Sequence, residues 1–197
     1  MDYDIAALIG RFLPLQSEEA DALRAGIPIK HFEKGTVLLR EGQISQNSYF
    51  NLKGCVRKYY LVDGEEKTTE FFTEEQSVAS LQSYINKTPA NHYLECVEDC
   101  VLAVLNYDKE IELYKKVEGF ESLCRVSVED EFGKQQEILA KFITSSPEER
   151  YQDLLKTRPD LLQRVPQYHL ASYLGIKPES LSRIRKRIAD KMAGEKS

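Results

Sequence analysis

The stretch Gln167-Tyr-His-Leu-Ala-Ser-Tyr-Leu-Gly-Ile-Lys-Pro-Glu-Ser-Leu-Ser-Arg-Ile-Arg-Lys-Arg-Ile-Ala189 decides how this chain is read. Leu170, Leu174, Leu181, Ile184 and Ile188 fall on two short helical faces, and Gly175 stands between them, where one helix must end in a left-handed residue. The spacing predicts a helix-turn-helix. Ala171 is small enough for the two helices to cross closely, and Pro178 suits the first turn of the second helix, where its missing N–H has no partner to lose. Opposite the apolar face stand Lys177, Glu179, Ser180, Ser182, Arg183, Lys186 and Arg187. Such residue types reach base edges and phosphates in a major groove, so the partner implied is double-stranded DNA. Arg183 and Glu179, four residues apart, are expected to pair as a fork over a G·C base pair, with Lys186 and Arg187 touching phosphates beyond it. A helical hairpin with a merely solvated basic face is the plain alternative.

The charge distribution agrees with a local interface. The 197-residue chain carries a formal −5, which looks wrong for a nucleic-acid binder until it is divided. Residues 177–197 hold seven Lys/Arg against three Asp/Glu, a local +4 that leaves −9 for residues 1–176. Local rather than total charge steers a protein to phosphate. A hydrophobic content of 42% supports a true core, and the length suits a moderate domain plus a small one. Cys55, Cys96, Cys100 and Cys124 form no CxxC pair, and the chain opens with neither a basic n-region nor an apolar h-region, so reduced thiols and a cytoplasmic setting are expected. Cys96 and Cys100 are four apart, but Tyr93-Leu-Glu-Cys-Val and Val101-Leu-Ala-Val-Leu read as strands, which leaves ordinary buried thiols, no metal and no cofactor. No apolar run approaches the length that crosses a bilayer.

Upstream, residues 4–25 read as helix interrupted at Pro14, with a Ser17-Glu-Glu start to the second piece. From Ile27 to about Leu105, short β-rich runs alternate with Gly turns. The Asp63-Gly64 pair between Lys58-Tyr-Tyr-Leu-Val62 and Lys67-Thr-Thr-Glu-Phe-Phe72 is a strong hairpin signal. The expected result is a small antiparallel barrel or sandwich. Residues 108–117 suggest a short helix. A long one follows from Phe120 to Ile143, with Phe120, Leu123, Cys124, Val128, Phe132, Leu139, Phe142 and Ile143 on one stripe that Gln135 and Gln136 interrupt. Such a stripe must be hidden, either against the chain's own barrel or, as expected here, in a homodimer. Ser145-Ser146-Pro147-Glu148-Glu149 then ends one helix and caps the next.

The order of these parts resembles the Crp/Fnr family of transcription regulators over nearly the whole chain. Lys34-Gly35-Thr36-Val37-Leu38 and Tyr49-Phe50-Asn51-Leu52-Lys53-Gly54-Cys55-Val56-Arg57 are similar to that family's first roll strands, and Pro147-Glu148-Glu149-Arg150-Tyr151 to its hinge. The resemblance implies an α+β fold: a double-stranded β-roll of the cyclic-nucleotide-binding type over residues 1–118, a dimerisation helix over 119–144, and a helix-turn-helix domain over 145–197. It also implies a homodimer on an inverted-repeat site, a small-molecule effector and RNA polymerase as a further partner. Members that bind cyclic nucleotides use a Gly-Glu-Leu run and, about ten residues on, an Arg-Ser pair. Here Ala79, Ser80 and Leu81 occupy the first and Ala90 and Asn91 the second, so the acid and the arginine are both replaced. A cyclic phosphate would forgo its charge-assisted bond, and cyclic AMP is not expected. Lys87 and His92 are expected on the surface. The iron–sulfur branch needs cysteines near the N-terminus, and none precedes Cys55; a heme needs an axial ligand, and His31, His92 and His169 stand apart. Only eight residues follow Ala189, so a full β wing is not expected. Glu179, Ser180 and Arg183 match the family's base-contacting positions, whereas Pro178 stands where many members carry arginine, which implies a different operator.

Two other classes compete. One is an effector-binding or protein-interaction module whose terminal helices never touch DNA. The other is a cupin-like enzyme, against which the β region offers only His31 and His92, without an HxH pair.

Overall fold

The structure, a computed structural model, describes the backbone of residues 3–194 and side chains through residue 191. The chain opens with α1 (Ile5–Ile9) and α2 (Ser17–Gly26), separated at Pro14 as expected. Asp4 caps α1 by accepting from Ala6 N–H, while Gln16 and Glu19 form a capping box on α2. Eight strands follow: β1 (Ile29–Phe32), β2 (Val37–Leu39), β3 (Asn47–Lys53), β4 (Val56–Val62), β5 (Glu65–Phe72), β6 (Ser77–Val78), β7 (Tyr93–Cys96) and β8 (Cys100–Asn106), with α3 (Leu81–Asn86) between β6 and β7. They form two four-stranded sheets, ordered β1-β8-β3-β6 and β2-β7-β4-β5. Asp63 and Gly64 both take positive φ, 53° and 79°, as a two-residue turn between β4 and β5 demands.

Alternation along the strands sets the roll interior. Leu94 and Cys96 on β7 point inward with Val56, Phe72, Val78 and Leu102, while Glu95 between them points out. A second apolar cluster lies against the other sheet, where α1, α2, α4 (Tyr107–Lys116) and Phe120 bury Ile5, Leu23, Leu52, Val101, Leu113 and Val117.

The long helix α5 runs Phe120–Thr144, 25 residues. Its stripe divides. Phe120 is buried, and Leu123 and Cys124 pack on the α1/α2 cluster, so this first turn serves the roll's own core. Beyond it Phe132, Leu139 and Ile143 are 64%, 60% and 73% exposed, and Val126, Val128 and Phe142 are exposed too. Helices α6 (Pro147–Thr157), α7 (Leu161–Arg164), α8 (Gln167–Tyr173) and α9 (Pro178–Gly194) complete the chain. α9 stays helical through Gly194, and no strand follows it among the described residues. By compactness the chain forms two units: residues up to Lys58 with Phe71–Gly133, and Tyr59–Glu70 with the residues from Lys134 onward.

Candidate nucleic-acid interface and effector region

The helix-turn-helix is built as its sequence requires. Leu170 and Ala171 on α8, Leu174 at its C-cap, and Leu181, Ile184 and Ile188 on α9 are all buried, and Gly175 between the helices has φ +70°. A side chain at Gly175 would be strained at that φ, and its Cβ would stand 2.9 Å from the Phe142 ring. Outside this frame Lys177, Glu179, Ser182, Arg183 and Lys186 are exposed and Ser180 is half-buried. At about 100° per residue, Glu179, Ser182, Arg183 and Lys186 share one face, opposite the buried one. Two details depart from expectation. Arg183 does not pair with Glu179; its Nη2 donates to Ser180 Oγ at 3.1 Å, one turn back on the same helix. Ser182 Oγ donates to the Pro178 carbonyl at 3.1 Å, which turns the hydroxyl toward its own helix.

Arg187 departs further. Its Nη1 donates to Glu148 Oε2 at 2.6 Å, and Lys191 Nζ reaches Oε1 of the same carboxylate at 3.3 Å. Arg187 therefore turns toward α6 instead of standing beside Lys186. A cleft of about 320 Å³ lies there, lined by Pro147, Ile176, Ser180, Arg183, Ile184 and Arg187.

The position of α8 and α9 depends on Arg150, a residue whose role the sequence did not reveal. α6 starts with Pro147 in its first turn and a Ser146/Glu149 capping box. Arg150, on the same helix, donates four hydrogen bonds to three carbonyls: Nε and Nη2 to that of Leu174 at 3.2 and 2.8 Å, and Nη1 to those of Phe142 and Ser145 at 3.0 and 2.6 Å. Its carbon centre also sits 4.4 Å from the centre of the Phe142 ring. One planar cation thus satisfies carbonyls at the C-terminal ends of both α5 and α8, where the helix dipoles favour positive charge. Ser172 on α8 makes a second tie. Its hydroxyl accepts from Thr68 N–H and donates to the Glu66 carbonyl, both at 2.8 Å, so it takes up polar groups on the outer edge of β5.

In the roll, the five residues read as an effector pocket separate into inside and outside. Ser80 and Ala90 are 2% and 5% exposed, Ala79 is half-buried, and Leu81 and Asn91 are exposed. Ser80 precedes α3, and its buried Oγ has no hydrogen-bond partner among the described residues. Ala90 is fixed by backbone: its N–H donates to the Gln43 carbonyl and its carbonyl accepts from Gly42 N–H, both at 2.8 Å. His92, expected on the surface, is buried. Its Nδ1 lies 3.0 Å from Asn91 Oδ1, and burial, followed by the charge of Lys58, lowers its pKa to about 4. Lys87 is exposed as expected, with its ammonium 3.6 Å from the Tyr107 ring centre. Arg57 on β4 is almost wholly buried and donates through Nε to Glu95 at 2.9 Å. The 540 Å³ cleft of the roll has a different lining, from Leu38 and Leu39 through Gly42–Asn47 to Tyr49, and none of the five residues is in it. Among the described residues no three His, Cys, Asp or Glu side chains gather as a metal site would need, and no helix is long and apolar enough to cross a membrane.

Residues 29–116 match the family model of the cyclic nucleotide-binding domain. Among solved structures, the chain is similar to the c-di-GMP responsive global regulator CLP of Xanthomonas campestris, with 16% identity over 89% of this chain and 93% of that one and a TM-score of 0.68. It is similar to FixK2 of Bradyrhizobium japonicum, with 15% identity, 84% and 85% of the two chains and a TM-score of 0.70. A CooA variant from Carboxydothermus hydrogenoformans follows at 12% identity, 97% and 86% coverage and a TM-score of 0.69. No curated protein sequence matches the chain at a significant level. Residues 29–116 therefore have the fold of the cyclic nucleotide-binding domain, and the chain as a whole has the fold of the Crp/Fnr regulators.

Proposed function

We propose that this protein is a homodimeric, sequence-specific DNA-binding transcription regulator of the Crp/Fnr type. It acts in the cytoplasm, catalyses no reaction, meets RNA polymerase at its operator and answers to a small molecule other than cyclic AMP. The observation that carries the reading is the two-sidedness of α9: Leu181, Ile184 and Ile188 are buried while Glu179, Ser182, Arg183 and Lys186 stand together in solvent. A face so composed suits a major groove. The dimer is supported by α5. Val128, Phe132, Gln135, Leu139 and Phe142 follow one another at alternating four- and three-residue steps, the spacing of a coiled-coil seam with one polar position. A symmetric pair would give two recognition helices and an inverted repeat with half-sites about 34 Å apart. Against cyclic AMP, Ser80 stands where the acid is needed and Ala90 or Asn91 where the arginine is, and buried Arg57 is engaged by Glu95.

The test is binding of two variants to a selected operator and to scrambled duplex across a salt series. Arg183→Ala is expected to cost about 1–3 kcal/mol on the operator alone and to relax base preference at one position of each half-site. Lys186→Ala is expected to weaken both duplexes alike and to flatten the salt dependence by roughly one unit per site. Equal loss on both duplexes for Arg183→Ala would remove its base-reading role.

A further inference from the structure

The carboxylate of Glu148, in the first turn of α6, holds two cations of α9 at once, Arg187 at 2.6 Å and Lys191 at 3.3 Å. Those two residues are one turn apart and share a face. At about 100° per residue, that face is the flank of α9 between the buried side, Leu181, Ile184 and Ile188, and the outer side, Glu179, Ser182, Arg183 and Lys186. The three groups are unequally placed: the Glu148 side chain is 22% exposed, against 56% for Arg187 and 62% for Lys191. The acid is thus the enclosed member and the cations come to it. Drawing both away to phosphate would leave a half-enclosed carboxylate with no cation, close to a polyanion, and like charges in a partly desolvated setting repel strongly.

We propose that Glu148 is a positioning residue for the recognition helix, and that it keeps Arg187 and Lys191 on α6 when DNA is bound. This inference rests on the DNA-binding reading above and sharpens it. The clamp does two things. It fixes the rotation of α9 about its own axis, and so which residues face a groove. It also withdraws two of the tail's cations from phosphate, so that sequence-blind attraction stays low and the outer face decides where the protein stops.

The experiment compares the full-length parent, Glu148→Gln, Arg187→Ala and the double variant on a selected operator and on scrambled duplex, with affinities measured from low to high salt and folding checked by thermal transition. Glu148→Gln is expected to bind scrambled duplex several-fold more tightly, with a salt slope steeper by about one to two units for the released cations. Operator affinity should rise less, because α9 can now roll, so the ratio of specific to non-specific binding falls. Arg187→Ala in the parent should leave the salt slope unchanged, yet it should remove part of the slope gained by Glu148→Gln. A purely structural role for Glu148 would lower affinity on both duplexes without steepening the slope, and that result would overturn the inference. So would a parent slope flattened by about one unit in Arg187→Ala, since Arg187 would then be on phosphate; this variant decides the matter even if Glu148→Gln does not fold. A parent that binds neither duplex removes the DNA-binding reading itself, and the inference with it.

Discussion

In the helix-turn-helix, the residues that pack and the residues offered to a partner occupy opposite sides of one helix: Leu181, Ile184 and Ile188 are buried, and Glu179, Ser182, Arg183 and Lys186 stand in solvent. In the roll, residues 79–92 are arranged the other way. Ser80, Ala90 and His92 lie inside, Leu81 and Asn91 lie outside, and the acid and the cation expected of a cyclic-nucleotide site are not among them. The outer face of a surface helix is written in one short run of sequence, so its chemistry follows from the helical period once the inner face is packed. A pocket inside a roll depends on segments far apart in the chain, and each of its positions can turn from ligand contact to core packing by a single substitution.

Three experiments probe that contrast, in decreasing order of effect. The helix-turn-helix acts in pairs only if α5 pairs, so Phe132→Glu together with Leu139→Glu is expected to convert a dimer into a monomer in sedimentation and to remove most of the operator affinity. Leu123 is unsuited to this test because it packs on the roll's own cluster. The next variant, Arg150→Ala, strips the Phe142, Ser145 and Leu174 carbonyls of their shared donor and is expected to destabilise the helix-turn-helix unit by about 2–3 kcal/mol. Arg150→Lys should rescue little, since an ammonium lacks the planar fork that reaches carbonyls of two helices. Calorimetry should show the loss in one transition while the roll keeps its own.

The smallest effect concerns pH and falls on the roll. His92 titrates near 6.5 in an unfolded chain and near 4 when folded, so the unfolded state binds the proton more readily. Stability from the neutral imidazole is therefore complete above about pH 6.5 and is lost as pH falls from there toward 4. His92→Gln should flatten that slope in denaturant titrations between pH 7 and 4.5. An unchanged slope would mean that some other group governs the roll in acid.

The frame of the protein was legible in the sequence. Gly175, Asp63-Gly64 and Ser146-Pro147 each impose a backbone conformation locally, and all three turns form as read. The apolar periods of α8 and α9 likewise placed the inner face correctly. What the sequence did not disclose lies in pairings between distant residues. Glu148 with Arg187 and Lys191, Arg150 with Leu174, and Ser172 with Thr68 span 39, 43, 24 and 104 positions. No periodicity signals which of several nearby arginines a carboxylate will capture, so the pairing of Arg187 with Glu148 has no trace in the local sequence. The i−4 spacing of Glu179 and Arg183 permitted a pair, yet an exposed ion pair contributes little, and Ser180 is the partner instead. His92 was read as exposed because a lone polar residue after Asn91 has no local signature of burial; only the neighbouring strands decide it.

On the function proposed above, α9 is presented twice by a dimer and reads a defined DNA sequence. The most direct measurement is selection of bound duplexes from a random pool by the full-length protein, followed by sequencing over successive rounds. The expected result is enrichment of an inverted repeat whose half-sites lie one helical turn apart, and the loss of one preferred position in each half-site when the selection is repeated with Arg183→Ala. Rounds that enrich no sequence, or that enrich an unpaired single site, would contradict it.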